Sequence, residues 1–241
     1  MSAVAHGLES RGLPTAVVAS VLPQVEKTRP PRALMTPFML GRPLGEPGDP
    51  AFQQRVLRQA LGLLTRTDGP VILDHFPDDN PSWFDRPGWV PSVVLPAPAA
   101  PVEATAWGEA LQAELALVLP AWHRVQARFG RSTVGLAGQL PQQWPSFAAA
   151  CLQGEAPTVP MHASTALALR FLADDLKALY GEAAQADGDV PSARQIDGWF
   201  WTRTLAGQLL RTLRAHALAS DSASYQTAGG RFLVPAPWLA A

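Results

Sequence analysis

Residues 33–73 constrain the fold most: two apolar runs enclose a glycine/proline loop and a helix with a strong start signal. The first run, Ala33 to Phe38, reads as a strand whose far end Pro37 limits. The loop GRPLGEPGDP follows from Gly41 to Pro50. Asp49 fits a helix N-cap and Pro50 the first helical position, where a missing N–H costs nothing. Phe52, Val56, Leu57, Ala60, Leu61 and Leu64 then form one stripe at helical spacing. Gly69-Pro70 stops this helix, and Val71 to Leu73 opens another strand. Strand, loop, helix and strand in that order predict a parallel α/β unit.

Upstream, Thr15 to Leu22 (TAVVASVL) is a β-branched apolar run between Pro14 and Pro23, of the kind expected for a strand buried on both faces. Residues 1–14 read as the tail of a helix closed by Gly12 and Pro14. Three strands are few for a doubly wound sheet. In such a sheet, strands and a ligand loop would precede that first helix. The N-terminal unit therefore reads as the second half of a Rossmann-like domain.

The predicted organisation is a partial α/β region over 1–76, a Pro-rich arm over 77–104 and a mainly α-helical region over 105–241. Seven prolines between Pro77 and Pro101, with Trp83, Phe84 and Trp89 among them, suit a semi-rigid arm packed on a surface. Trp107, Leu111, Leu115, Leu119, Trp122, Val125 and Phe129 then step at helical spacing across a kink expected at Pro120. Pro141 opens a short helix, 163–184 gives another, and 192–219 a last one that starts with a Ser192/Gln195 capping-box pattern. The closing RFLVPAPWL is expected as an extended segment docked on the core.

With 47% hydrophobic residues in 241, the chain has ample material for a core, which excludes disorder. Only 16% are charged, below the usual ~25%, so part of the surface is expected to be apolar or partner-covered. Nineteen Lys and Arg against twenty Asp and Glu leave no basic excess for a phosphate backbone, which argues against nucleic acid. The N-terminus lacks a signal-peptide pattern, and no apolar window approaches the ~20 residues of a membrane span. A soluble cytoplasmic protein is the expectation.

Chemistry is sparse. Cys151, the only cysteine, follows three alanines late in a helix, a setting for inert burial, and excludes a disulfide framework or a cysteine-cluster metal site. The five histidines share no metal-ligand spacing. His75 in Asp74-His75-Phe76-Pro77-Asp78-Asp79 sits at a strand end, where a general base or a divalent-ion site would be placed, although a solvated turn is the plainer reading. Asp174, Asp175 and Glu182 read as a solvated helix face. The glycine loop enters a helix N-terminus, which favours anions, and Arg29, Arg32 and Arg42 add positive charge while Glu46 and Asp49 oppose it. It matches neither GxxxxGK[ST] nor GxGxxG, so no nucleotide cofactor is implied. A small carboxylate or amino-acid ligand and a rigid Pro/Gly turn both fit, the turn being the plainer. No catalytic residue, resident cofactor or metal emerges.

Residues 7–75 nevertheless resemble the selenoprotein B components of glycine/sarcosine/betaine reductase and of D-proline reductase. The resemblance is carried by Gly12-Leu13-Pro14-Thr15, Pro31-Arg32-Ala33, Gly41, Gly45 with Pro47, and Gln53 early in the helix. It implies reductive chemistry on a small amino acid or amine, in which a selenol or thiol of a U-x-x-C motif attacks a substrate adduct. Partner subunits and thioredoxin-like donors complete that cycle. On this resemblance Arg32, Gly41, Arg42, Gly45 and Gln53 would line or shape the substrate side. The family's redox motif precedes the helix that here occupies Met1–Arg11, and no cysteine or selenocysteine stands there. Two expectations follow: an upstream in-frame UGA codon read as a stop, or a short subunit that completes its sheet with another polypeptide. The rival from another class is a non-catalytic interaction subunit or homo-oligomer, for which low charge and eight tryptophans speak.

Overall fold

In the computed structural model, which describes residues 1–38, 41–45, 47–78, 85–96, 102–103, 105–188 and 190–239, the chain forms an α/β unit, Met1–Asp85, and a helical unit, Arg86–Ala241. The boundary falls inside the Pro-rich arm. Trp83 and Phe84 of that arm lie outside the described residues. Its later part belongs to the helical unit: Ser92 N–H donates to the Ala184 carbonyl at 3.0 Å, and Val93 joins the core.

The α/β unit holds a three-stranded parallel sheet in the order β1 (Val17–Ala19), β2 (Arg32–Met35), β3 (Ile72–His75). Val18 aligns with Leu34, and Leu34 with Asp74. Because side chains alternate along a strand, Val18, Leu34 and Ile72 share one face. Helix α3 (Pro50–Gly62) packs there, and Phe52, Val56, Ala60 and Leu63 complete the cluster. Leu57 and Leu61, expected on the same stripe, are 42% and 60% exposed. The buried row is the strict i, i+4, i+8 one.

Helices α1 (Ser2–Glu9) and α2 (Leu22–Thr28) connect through Thr28, whose carbonyl meets His6 Nε2 at 3.2 Å. β1 is shorter than predicted, and all three of its residues are half-buried, so it is not a strand buried on both faces. The physical reason is thin cover. On the face opposite α3 only Ala33 is fully buried, while Val17, Ala19, Met35 and Leu73 stay half-exposed. The seven-residue α2 contributes a single buried side chain, Val25.

The helical unit comprises α4 (Trp107–Phe129), α5 (Trp144–Leu152), α6 (Thr165–Ala183), α7 (Ala193–Arg203), α8 (Leu205–Ala219) and α9 (Ala223–Ala228). α4 runs through Pro120 without interruption. The helix expected over 192–219 is two helices. Thr204 breaks it in extended conformation: its buried hydroxyl donates to the Phe200 carbonyl at 2.7 Å and accepts from Gly207 N–H at 3.0 Å, capping α8. Gly207 permits the close approach this requires, since a Cβ there would lie 2.4 Å from the Phe200 carbonyl oxygen. The C-terminal segment is likewise not extended. Gly229–Leu233 forms a π-helical turn and Ala236–Trp238 a 3-10 turn, with Leu233 and Val234 buried in the core. No described helix is long and apolar enough to cross a membrane.

Candidate functional site

The C-terminal edge of a parallel sheet is where α/β folds place ligands, because loops leave the strands there and helices begin. Here that edge carries the glycine loop between β2 and α3. Gly41 and Gly45 both adopt a φ of +90°, in the left-handed region that favours glycine. Gly45 is also pressed against an aromatic ring: a Cβ there would meet Phe52 Cε1 at 2.6 Å. Its N–H donates to the Arg42 carbonyl at 3.0 Å, closing the turn. Asp49 caps α3 by accepting from Phe52 N–H at 3.0 Å. The helix N-terminus thus receives its negative charge from within the chain, and an incoming anion would compete with it.

Four of the five residues suggested by the sequence meet at this corner. Gly41, Arg42 and Gly45 lie in the loop, and Gln53 in the first turn of α3. Arg42 is half-buried and has no ion-pair partner among the described residues. Glu46, its expected counter-charge, lies outside the described residues. Arg32 is elsewhere. It opens β2, at the end of the sheet remote from the loop, and pairs with Glu9 at 2.5 Å. Glu9 also accepts from the backbone N–H of Thr15 at 2.6 Å and its hydroxyl at 3.1 Å. The Thr15 N–H, foremost, and then Arg32 hold this carboxyl below its ordinary value. Arg32 fastens α1 to the strands.

Beneath the loop the crevice position is filled. Phe38, Phe52 and Phe76, all buried, form a triangle with ring centroids 5.6, 5.7 and 5.5 Å apart. The sequence reading missed this plug. Its signal was present: Phe76 directly follows β3, Phe38 stands three residues beyond β2, and Phe52 lies in the first turn of α3. The Asp74–His75 strand end is drawn into structural contacts as well. Gln59 Nε2 reaches Asp74 at 3.4 Å and the His75 carbonyl at 3.1 Å, while Asp78 pairs with Arg55. Asp79 lies outside the described residues. Among the described residues, no group of three or more His, Cys, Asp or Glu could hold a metal ion.

In the helical unit Cys151 is 1% exposed, and burial pushes its thiol up to about 11. The acids on α6 depart from the solvated face expected of them. Asp175 is fully buried, and its two oxygens accept from the N–H groups of Gly135, Leu136 and Ala137 at 2.8–3.1 Å. Glu182 accepts from Trp122 Nε1 at 2.8 Å, Ser132 Oγ at 2.7 Å, and the Thr133 N–H and hydroxyl at 2.7 Å each. These two carboxylates pin the loop after α4, and only Asp174, paired with Lys177 at 3.0 Å, lies on a solvated helix face. A third buried carboxylate, Glu114, accepts from Tyr180 Oη at 2.7 Å and from the N–H groups of Leu205 and Ala206 at 2.7 and 3.0 Å. Desolvation nonetheless raises its pKa, and burial together with Glu114 raises that of Tyr180.

Fold and site define an α/β unit with a glycine-loop corner, followed by a separate helical unit. No protein-family model, curated protein or solved structure matches this chain.

Proposed function

We propose that this chain is a component of a selenocysteine- or thiol-dependent reductase of small amino acids or amines, working with a redox nucleophile that none of these 241 residues supplies. The observation that carries the reading is the glycine-loop corner. The spaced motifs of the resemblance fold into one contiguous β–α–β–loop–α unit, with Gly41, Arg42, Gly45 and Gln53 gathered where α/β folds bind ligands. Arg42 supplies a cation for a substrate carboxylate. The chain's one thiol is buried with a raised pKa, which suits a packing role rather than a nucleophilic one.

The alternative, a non-catalytic interaction subunit, is favoured by one further observation. The half-exposed outer face of β1 and β2, together with exposed Leu57 and Leu61, leaves apolar surface for a partner or a second copy.

One experiment separates the readings: recover the tagged chain from its own cells, identify what accompanies it, and assay dithiol-dependent reduction of glycine, sarcosine, betaine and D-proline. The reductase reading predicts a companion with a U-x-x-C or C-x-x-C motif and turnover that falls at least tenfold with Arg42→Ala. A complex without turnover selects the interaction subunit. A monomer without companion or turnover overturns both.

A further inference from the structure

An open groove of about 300 Å³ lies in the helical unit, lined by Ser164, Leu167, Arg170, Ser224, Thr227 and Phe232 among others. Its wall is the first turn of α6, a nineteen-residue helix, and its other side comes from α9 and the turn that follows it. Arg170 dominates the chemistry. Its guanidinium carbon sits 4.2 Å from the Phe232 ring centroid and 5.0 Å from that of Phe171. Stacking of this kind fixes the guanidinium plane and leaves its N–H edges as the only polar outlet.

One of those N–H groups is not satisfied internally. Arg170 Nε is buried and has no hydrogen-bond partner. The nearest acid along its own helix, Asp174, is engaged by Lys177 at 3.0 Å. No carboxylate lines the groove. Of the hydroxyls around it, that of Ser164 is suited to help. Ser164 Oγ accepts from Leu167 N–H at 3.2 Å, which leaves its own proton free to donate, and the first-turn N–H groups of α6 lie beside it. Thr227 donates to the Ala223 carbonyl at 2.8 Å, and Ser224 shares a hydrogen bond with Ser222 at 2.9 Å.

We propose that this groove binds a small carboxylate carrying an apolar body, the carboxylate held by the Arg170 guanidinium and Ser164 and the body laid on Phe232, Leu167 and Ala228. A single arginine, no second cation in the lining and largely apolar walls suit one negative charge on a greasy ligand better than a phosphate. The site lies within the helical unit and is independent of the reductase reading.

Phenylacetate serves as the probe for the full-length, 15N-labelled chain, read by the side-chain Nε–H signal of Arg170 and the amides of Ser164 to Leu167. A saturable shift with phenylacetate and none with neutral phenylacetamide is expected, with binding weakened about tenfold or more by Arg170→Gln and less by Arg170→Lys. Because the comparison of phenylacetate with phenylacetamide needs no variant, it stands even where a substitution perturbs folding. No saturable shift, equal binding of the amide, unchanged affinity in Arg170→Gln, or inorganic phosphate binding as tightly as phenylacetate would each overturn the proposal.

Discussion

Replacing Asp175 with asparagine tests the internal architecture most sharply, because the change removes one charge and almost no volume. The carboxylate is fully buried, and its two oxygens serve three backbone donors: Gly135 N–H at 3.1 and 3.0 Å, Leu136 N–H at 3.0 Å and Ala137 N–H at 2.8 Å. An amide keeps one acceptor oxygen and turns an NH2 group toward the remaining donors. At least one backbone N–H, of Leu136 or Ala137, is then left unpaired inside the protein, at about 1–3 kcal/mol. The surviving bonds fall from charge-assisted to neutral strength, a loss of about 0.5–1.5 kcal/mol each. The sum is about 2–6 kcal/mol, large against a total stability of about 5–15 kcal/mol. Urea unfolding followed by tryptophan emission reads it, since seven of the eight tryptophans lie in residues 86–241. The slope with urea should be unchanged and the midpoint lowered. A loss below about 1 kcal/mol would mean that the three N–H groups find water instead, and would refute the assignment of Asp175 as the anchor of this loop.

Gly45→Ala should destabilise the α/β unit by about 2–4 kcal/mol, because it adds a Cβ at a φ of +90° and 2.6 Å from Phe52; a thermal shift under 2 °C would count against the Gly45–Phe52 contact. For Glu114 the folded pKa lies above its ordinary value, so its contribution to stability is full below about pH 4.5 and declines as pH rises through the folded value. The stability difference between the native chain and Glu114→Gln should therefore shift against the native chain as pH rises above 4.5, and a flat difference from pH 4 to 8 would contradict this. Cys151, buried with its thiol raised to about 11, should react with a thiol-directed disulfide reagent at pH 8 only on the timescale of unfolding, whereas labelling within seconds would contradict its burial.

The order strand, loop, helix, strand from β2 to β3 was legible because it rests on local signals, whereas the short α2 between β1 and β2 was not predicted. Asp49 with Pro50 marks a helix start, Gly69-Pro70 a stop, and the structure agrees at both ends within a few residues. Burial was less legible. The run TAVVASVL is as apolar as a doubly covered strand, yet cover comes from other segments, and α2 is too short to provide it. The same limit explains Asp175 and Glu182. Their spacing on α6 gives no sign that a loop some forty to fifty residues earlier turns its N–H groups toward them. Thr204 was readable in principle, because threonine is a favoured N-cap residue, but the hydrophobic stripe continues across the break and hides it. At the candidate site the glycine loop was found from turn chemistry. The separation of Arg32 from Arg42 follows from the strand predicted between them, which sets one at its start and the other beyond its end, so grouping the two on the substrate side came from the resemblance and not from the strand pattern.

Glu114 ties together segments that meet late. Its partners stand 66, 91 and 92 residues away along the chain, on α6 and at the first turn of α8. In an isolated helix the leading amides exchange with solvent freely, since no preceding carbonyl is placed to accept them. Here the amides of Leu205 and Ala206 are shielded only once α4, α6 and α8 have assembled around one carboxylate. Their deuterium uptake therefore acts as a clock for closure of the whole helical unit: it should run at the rate of global opening, while the amides of α9 at its rim exchange through local fraying.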